Sequence, residues 1–261
     1  MEKRLITYLL LFIFAFIAQM IDGGIGMGYG VSLTSLLLTI GFGSAMASAL
    51  VHLSEIFTSL VSGISHFYFG NFDKKIFIYL VIPGVIGGVA GVFGAVAFQD
   101  ASFIKPIVST ILLALGILII IKFLSKKDFL IEEYKTPRVR YLLPLGFIAA
   151  FIDAIGGGGW GPISTPVLVI KNADPKKVIG SVNFAEFFVT LAISVSFLIA
   201  LPKIDWKIVG VLVAGGIIAA PLAAFITKRM PQKTLGVAVG FLIVFLSIRT
   251  ILKSTGIGFL F

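Results

Sequence analysis

The sequence contains no cysteine, only two histidines and few charged residues. The lack of cysteine excludes disulfide bonds, thiolate nucleophiles and cysteine-based metal sites. His52 and His66 do not make a histidine-rich metal site, so we expect no metal and no cofactor. Charged residues make up 13% of the chain, whereas soluble domains usually contain roughly 25%. With 58% hydrophobic residues, a soluble domain of this length would lack the interior to bury them.

What the sequence has instead is a series of long apolar runs. A helix that spans a bilayer needs about 20 apolar residues, so the chain has room for at most about ten spans. The runs are continuously apolar, which favours helices over a β-barrel, whose strands would alternate. We therefore predict an all-α polytopic protein of the cell (inner, cytoplasmic) membrane. The apolar runs lie at 5–21, 31–42, 45–69, 76–98, 104–123, 141–152, 163–170, 178–201, 208–226 and 235–251.

The second half of the chain repeats polar and glycine positions of the first half at a constant offset. Each half holds five apolar runs, an odd number, so tandem halves would lie in opposite orientations in the membrane. We therefore predict two inverted five-segment repeats, at 1–124 and 141–261, joined by a polar linker at 125–140. The offset of 131 pairs Asp22 with Asp153, Gly26 with Gly157, Gly28 with Gly159, Thr34 with Thr165 and Glu55 with Glu186.

The basic residues predict the orientation of the chain. If the amino terminus lies outside, the connections that face inward hold 14 of the 21 Lys and Arg residues. Because basic residues concentrate on the cytoplasmic side, this distribution favours both termini outside. We interpret the net charge of +9 in the same way, as a sign of topology and not of nucleic-acid binding.

A dense glycine run separates the first two apolar runs of each half, at 23–30 and at 156–161. Glycine at this density interrupts a helix, through its backbone entropy and its access to positive φ. The runs that follow are short, which predicts broken helices or helical hairpins. Their free N–H groups and positive dipole ends would favour an anion. The alternative, that these glycines only allow close helix packing, is weakened by their matching positions in the two halves.

The residues around the two breaks form the candidate substrate site. Hydroxyl groups there would add donors, and Tyr29 and Trp160 would wall the cavity. Asp22 and Asp153 are interpreted as structural caps that accept backbone N–H bonds. The candidate substrate-binding residues are Gly26, Gly28, Tyr29, Ser32, Thr34 and His52 in the first half, and Gly157, Gly159, Trp160, Ser164, Thr165 and Asn183 in the second.

Two glutamates lie within long apolar runs. A carboxyl inside a membrane is costly and is a functional candidate by default, so we expect Glu55 and Glu186 to carry a coupling proton. A polar residue lies three positions before each of them, on the same helix face. It is His52 in the first half, which can relay protons, and Asn183 in the second, which cannot titrate. The other histidine, His66, is assigned to the aromatic belt at the membrane interface.

These residues resemble the TauE/SafE family of sulfite and organosulfonate exporters, also called TSUP. The resemblance rests on the duplicated glycine-rich motif at 21–30 and 152–162 and on the polar-x-x-Glu pattern that follows it. It covers essentially the whole chain, and it implies transport of sulfite, sulfoacetate or another sulfur-containing or organic anion, by export or import. The chain departs from symmetry where His52 faces Asn183 in the alignment of the halves.

The function predicted from the sequence is therefore a secondary transporter and not an enzyme. We expect it to move a small anion by alternating access, coupled to protons. Its partners would be the anionic substrate and the lipid bilayer, a homodimer is left open, and no nucleic acid is expected. The alternatives are a passive channel and a membrane subunit of a larger transporter. An intramembrane enzyme has neither a Ser–His–Asp set nor a metal cluster or nucleotide motif to support it.

Overall fold

The computed structural model describes residues 2–97, 134–201 and 203–254, with short helical pieces between 110 and 124. In the described ranges the chain forms helices and no strands, which confirms the all-α prediction. The helices are α1 (Glu2–Ile25), α2 (Tyr29–Thr39), α3 (Ser44–Tyr68), α4 (Lys74–Ala97), α5 (Val139–Gly156), α6 (Trp160–Ile170), α7 (Pro175–Ala200), α8 (Trp206–Arg229) and α9 (Gln232–Ser254).

Six of these helices, namely α1, α3, α4, α5, α7 and α8, are long and apolar enough to cross a membrane. Large apolar side chains remain exposed on their outer faces, such as Leu9 on α1 and Leu222 on α8, which are 58% and 50% exposed. An aqueous surface would not tolerate so many, whereas lipid would. The chain is a multi-pass membrane protein, as predicted.

The helices α2 and α6 have 11 residues each and are too short to span a bilayer. They begin within the two glycine runs, at Tyr29 and Trp160, which confirms the prediction of broken helices there. Whether each half-helix crosses with its predecessor or re-enters stays open. The apolar run at 104–123 and the linker residues 125–133 lie largely outside the described residues, and the division into two repeats stays a prediction.

The helix contacts come in matching pairs. Under the offset between the halves, α1 to α4 correspond to α5 to α8. The fourth helix of each half packs on the first helix of the other, as α4 on α5 and α8 on α1. The third helix of each half also packs on the fourth of the other, and α3 and α7 pack on each other. Each half therefore packs mainly on the other half, while the inverted orientation stays a prediction.

Glycines allow the closest of these approaches. A Cβ atom on Gly91 of α4 would lie 2.5 Å from the carbonyl oxygen of Phe151 on α5. Gly215 of α8 lies in the same way against the carbonyl oxygen of Phe12 on α1. Small residues at such crossings let helix backbones touch, which is the usual packing device of membrane helices.

Candidate functional site

The two helix breaks begin with the same left-handed glycine. Gly26 follows α1 with φ of 81°, and Gly157 follows α5 with φ of 67°. In both breaks this left-handed residue donates its N–H to the aspartate four positions before it, at 2.5 Å from Gly26 to the Asp22 carbonyl and at 2.7 Å from Gly157 to the Asp153 carbonyl. A left-handed residue after the last turn ends a helix, and glycine adopts it without steric cost.

The aspartate side chains then bridge each break to the half-helix that follows it. Asp22 accepts a hydrogen bond from the Tyr29 N–H at 3.3 Å, and Asp153 accepts one from the Gly159 N–H at 2.5 Å. Both carboxyls are almost fully buried. These are the backbone bonds expected of caps, and they place a carboxyl beside the positive end of each half-helix.

The two breaks lie against each other and are cross-linked by hydroxyl groups. The Thr165 hydroxyl donates to the Gly26 carbonyl at 2.8 Å, and the Thr34 hydroxyl donates to the Gly157 carbonyl. The backbones touch here, because a Cβ atom on Gly30 would lie 2.9 Å from the Cα atom of Gly158. Each half therefore supplies the hydrogen-bond donor that the broken backbone of the other half requires.

The two intramembrane glutamates lie at this junction. Glu55 and Glu186 are only 4% and 6% exposed. Hydrogen bonds from Ser59 and Thr190 reach their backbone carbonyls, and within the described ranges no group bonds to either side-chain carboxyl. A buried carboxyl without a partner is costly, which favours a role in binding a proton or a ligand.

The acidic side chains form one electrostatic cluster. The Glu186 carboxyl interacts with those of Asp22, Glu55 and Asp153, so both halves contribute to it. The cluster lies beside the first break, since a Cβ atom on Gly30 would lie 3.2 Å from Oε1 of Glu55. The structure therefore brings the predicted caps and the predicted proton carriers together.

His52 adds a contact that the sequence did not predict. Its Nε2 atom lies 3.1 Å from Oδ2 of Asp153, and its Nδ1 atom lies 2.8 Å from the Ser48 carbonyl oxygen. This links α3 of the first half to the end of α5 in the second. The partners are 101 residues apart, and no local pattern in the sequence marks them.

Asn183, the counterpart of His52, has different partners. Its Oδ1 accepts a hydrogen bond from Ser62 at 2.8 Å, and its Nδ2 donates to the Ile179 carbonyl at 3.0 Å. Ser62 is therefore a further residue of the site that the sequence did not predict. The expected asymmetry of the two halves is visible in these contacts.

The two aromatic residues of the breaks point into the protein core. The Tyr29 hydroxyl lies 3.0 Å from the Ser54 hydroxyl, and the Trp160 Nε1–H donates to the Val182 carbonyl at 3.0 Å. Both side chains are 1% exposed. In this structure they anchor α2 and α6 to the long helix that follows each of them.

The remaining candidates differ in how they are placed. Ser164 is fully buried, and within the described residues its hydroxyl has no hydrogen-bond partner. Ser32 is half-buried on α2. Gly28 has φ of 125° and lies against Ile21, away from the contact between the breaks. Among the described residues, the Ser164 hydroxyl is thus a fully buried donor without a protein partner.

The assignment of His66 to the interfacial belt is wrong, because its side chain is fully buried. Its Nε2–H donates to the Gly23 carbonyl at 2.8 Å, and its Nδ1 accepts from the Asn71 amide at 3.2 Å. The Thr227 hydroxyl donates to the Gly24 carbonyl at 2.9 Å. These side chains bind the carbonyl groups that the break leaves open at the end of α1.

Comparison with known proteins places this chain among membrane transporters. The family model described as sulfite exporter TauE/SafE matches residues 11–250, which include both breaks and all the candidate residues. The chain is 44% identical over 250 residues to the probable membrane transporter protein YtnM of Bacillus subtilis (strain 168). That alignment covers 93% of this chain and 83% of the relative. No solved structure matches the chain.

Proposed function

Because this chain belongs to the sulfite exporter TauE/SafE family and is a membrane transporter, we propose that it carries a small sulfur-containing or organic anion as a secondary transporter. The observation that supports this most is the contact between the two helix breaks, through the bonds from Thr34 and Thr165. Two half-helix amino termini lie near this contact, together with the carboxyls of Glu55 and Glu186, which have no hydrogen-bond partner among the described residues.

The half-helix termini favour a small oxyanion as the substrate. The first N–H groups of a helix have no carbonyl partner within it, and the helix dipole favours negative charge there. The aspartate caps engage the N–H groups of Tyr29 and Gly159. The other first-turn N–H groups and the Ser164 hydroxyl are the donors that would bind a sulfite-type or sulfonate group.

The carboxyl cluster favours coupling to protons. An ionised carboxylate repels an anion strongly in a buried site, so an anion binds beside Glu55 and Glu186 only when they hold protons. Binding of the anion and binding of the protons then promote each other. This reciprocal dependence is what a proton-coupled anion carrier requires, whereas a passive channel does not need it.

Separation of the two breaks would open the site by alternating access. In the structure described here the backbones of Gly30 and Gly158 are in contact, which leaves no space for an anion between them. Movement of one half against the other would break the hydroxyl bonds of Thr34 and Thr165 and admit the substrate.

Uptake of labelled sulfite and of a small labelled sulfonate into proteoliposomes tests this function. We expect a saturable flux that responds to an imposed pH gradient, and we expect Glu55→Gln and Glu186→Gln to lose that response. Current that does not saturate and ignores the pH gradient would instead indicate a channel. Absence of flux for either anion would contradict the proposed substrate class.

A further inference from the structure

The two histidines of the chain have opposite hydrogen-bond surroundings. His66 faces a carbonyl oxygen, that of Gly23, on Nε2 and an amide N–H, that of Asn71, on Nδ1. A carbonyl only accepts, so Nε2 carries a hydrogen, and the amide N–H needs the lone pair of Nδ1. His66 is therefore satisfied as a neutral ring and has no site for a second proton.

His52 is different, because acceptors lie at both of its nitrogens. Nδ1 lies 2.8 Å from the Ser48 carbonyl oxygen, so it carries a hydrogen. The Ser48 hydroxyl is no alternative donor to the ring, because it donates its one hydrogen to the Ala154 carbonyl at 3.1 Å. Nε2 lies 3.1 Å from Oδ2 of Asp153.

The contact between Nε2 and Oδ2 therefore requires one more proton. With Nδ1 already protonated, the proton of this bond lies either on Nε2, beside an ionised carboxylate, or on the Asp153 carboxyl, beside a neutral ring. In either form the pair of His52 and Asp153 has no net charge. When the proton leaves, the lone pair of Nε2 faces the Asp153 carboxylate, and the contact becomes repulsive.

We propose that His52 and Asp153 together bind a further coupling proton of the transport cycle, in addition to those on Glu55 and Glu186. This inference rests on the transport function proposed above and adds a second kind of proton site to it. Asp153 also caps α6 by accepting the Gly159 N–H on its other oxygen, so the carboxyl that shares the proton also holds the helix break. Release of the proton makes this contact repulsive and therefore weakens the link between α3 and this break.

The second half offers no equivalent site. Asn183 uses both ends of its amide, toward Ser62 and Ile179, and an amide does not titrate. Within the part of the chain that the structure describes, the pair with His52 therefore has no counterpart in the second half, although the helix breaks are duplicated. This asymmetry predicts that one of the two breaks, that between α5 and α6, responds to protons through a histidine.

Among the described residues, the ionisable groups that interact with the pair are carboxyls. Glu55 faces His52 from the same helix, and Asp22, Glu55 and Glu186 interact with Asp153. On α7 the ring of Phe197 packs against His52, with centroids 6.1 Å apart. No Lys or Arg is among the interacting groups found in the described part of the chain. Variants that probe the pair should therefore keep Asp22, Glu55 and Glu186. A separate variant of Asp22 serves as the control.

Nitrogen NMR of the histidines tests the proton site without any transport assay. The chain has only two histidines, so ¹⁵N-histidine labelling in nanodiscs gives two sets of signals, and His66→Gln assigns them. We expect His52 to titrate with pH while His66 stays in one neutral tautomer, and we expect Asp153→Asn to shift the His52 titration. The matched control Asp22→Asn should shift it much less. A His52 titration that Asp153→Asn leaves unchanged would overturn the proposal.

Transport by His52→Asn tests the coupling role. This variant gives the first half the residue that the second half has at the matching position. The measured quantity is the ratio of gradient-driven uptake to exchange of labelled sulfite at equal pH on both sides. We expect the ratio to fall about tenfold in His52→Asn and to stay at the wild-type value in His66→Gln.

The outcomes separate this inference from the proposed function. A wild-type ratio in His52→Asn, checked with His52→Gln in case one variant folds poorly, would overturn the coupling role. Wild-type protein that exchanges sulfite without any response to pH would overturn it as well, while leaving anion transport in place. If the wild type carries no anion, the proposed function fails, and the NMR titration still decides whether the pair binds a proton.

Discussion

The hydroxyl of Thr165 donates a 2.8 Å hydrogen bond to the carbonyl oxygen of Gly26, across the boundary between the two halves. Thr34 makes the matching bond to Gly157. Both carbonyls belong to the left-handed residues that end α1 and α5. Inside a membrane such carbonyls need a partner from the protein, and each half provides it for the other.

Loss of the Thr165 hydroxyl should destabilise this junction. Thr165→Val keeps the shape of the side chain and leaves the Gly26 carbonyl without its partner, at an expected cost of about 1 kcal/mol. Thermal unfolding in nanodiscs measures the effect. Thr165→Ser restores the donor and should melt close to the wild type, whereas equal melting of all three proteins would show that the bond contributes nothing.

A methyl group on Gly30 should push the two breaks apart. Its Cβ atom would lie 2.9 Å from the Cα atom of Gly158 and 3.2 Å from Oε1 of Glu55. We expect Gly30→Ala to lower the unfolding temperature and to reduce the anion flux by a large factor. The methyl group would meet the backbone of Gly158, which cannot move aside as a flexible side chain can.

Gly24→Ala is the control for that substitution. A Cβ atom on Gly24 meets no atom within 4 Å, and alanine favours a helix interior over glycine by about 1 kcal/mol. It should keep or raise stability and preserve the flux. Equal effects of Gly24→Ala and Gly30→Ala would contradict the close contact between the breaks.

His66 should act in stability and not in proton coupling. His66→Leu removes the hydrogen bond to the Gly23 carbonyl and the acceptor for Asn71, and we expect it to cost about 1–3 kcal/mol of unfolding free energy. Tyr68→Leu, at a residue that is 84% exposed two positions along the same helix, should change the unfolding temperature little. Chemical denaturation of both variants in detergent micelles measures the difference, and similar losses in the two would argue against a buried role for His66.

The lack of cysteine makes the predicted orientation directly measurable. The distribution of Lys and Arg predicts that the connection between α6 and α7 faces inward and that between α7 and α8 faces outward. In right-side-out vesicles, an impermeant thiol reagent should label Lys203→Cys, and it should label Lys177→Cys only after the membrane is opened. The reverse pattern would invert the topology, and labelling of both from one side would contradict a single crossing by α7.

Much of the fold follows from the lengths of the apolar runs. The run at 45–69 became α3 (Ser44–Tyr68), and the short run at 163–170 became α6 (Trp160–Ile170). Glycine density located both breaks, because that property is local in the sequence. Backbone preferences and apolar length act within a few residues, so a sequence pattern records them well.

The contacts of the site were harder to predict, because they join distant residues. The sequence predicted that His52 and Asn183 differ, but it did not indicate that His52 contacts Asp153 of the other half while Asn183 accepts from Ser62. The prediction for His66 was wrong because it followed the neighbours Phe67 and Tyr68, which are 59% and 84% exposed. Successive residues of a helix point about 100° apart, so one can be buried while the next is exposed. Burial at a single helical position depends on the packing partner, which the local pattern does not contain.

Each half packs mainly on the other half, and this has a consequence for how the protein is made. Helices α1 to α4 leave the ribosome first, while α8, α7 and α5, the main partners of α1, α3 and α4, have not yet been synthesised. Until then lipid can cover the glycine face of α4 around Gly91, but the open carbonyl groups after α1 need a hydrogen-bond donor from water, the insertion machinery or a chaperone. Assembly of this transporter is therefore a late event in its biogenesis, and a nascent chain that stalls after the first half is a natural target for membrane quality control.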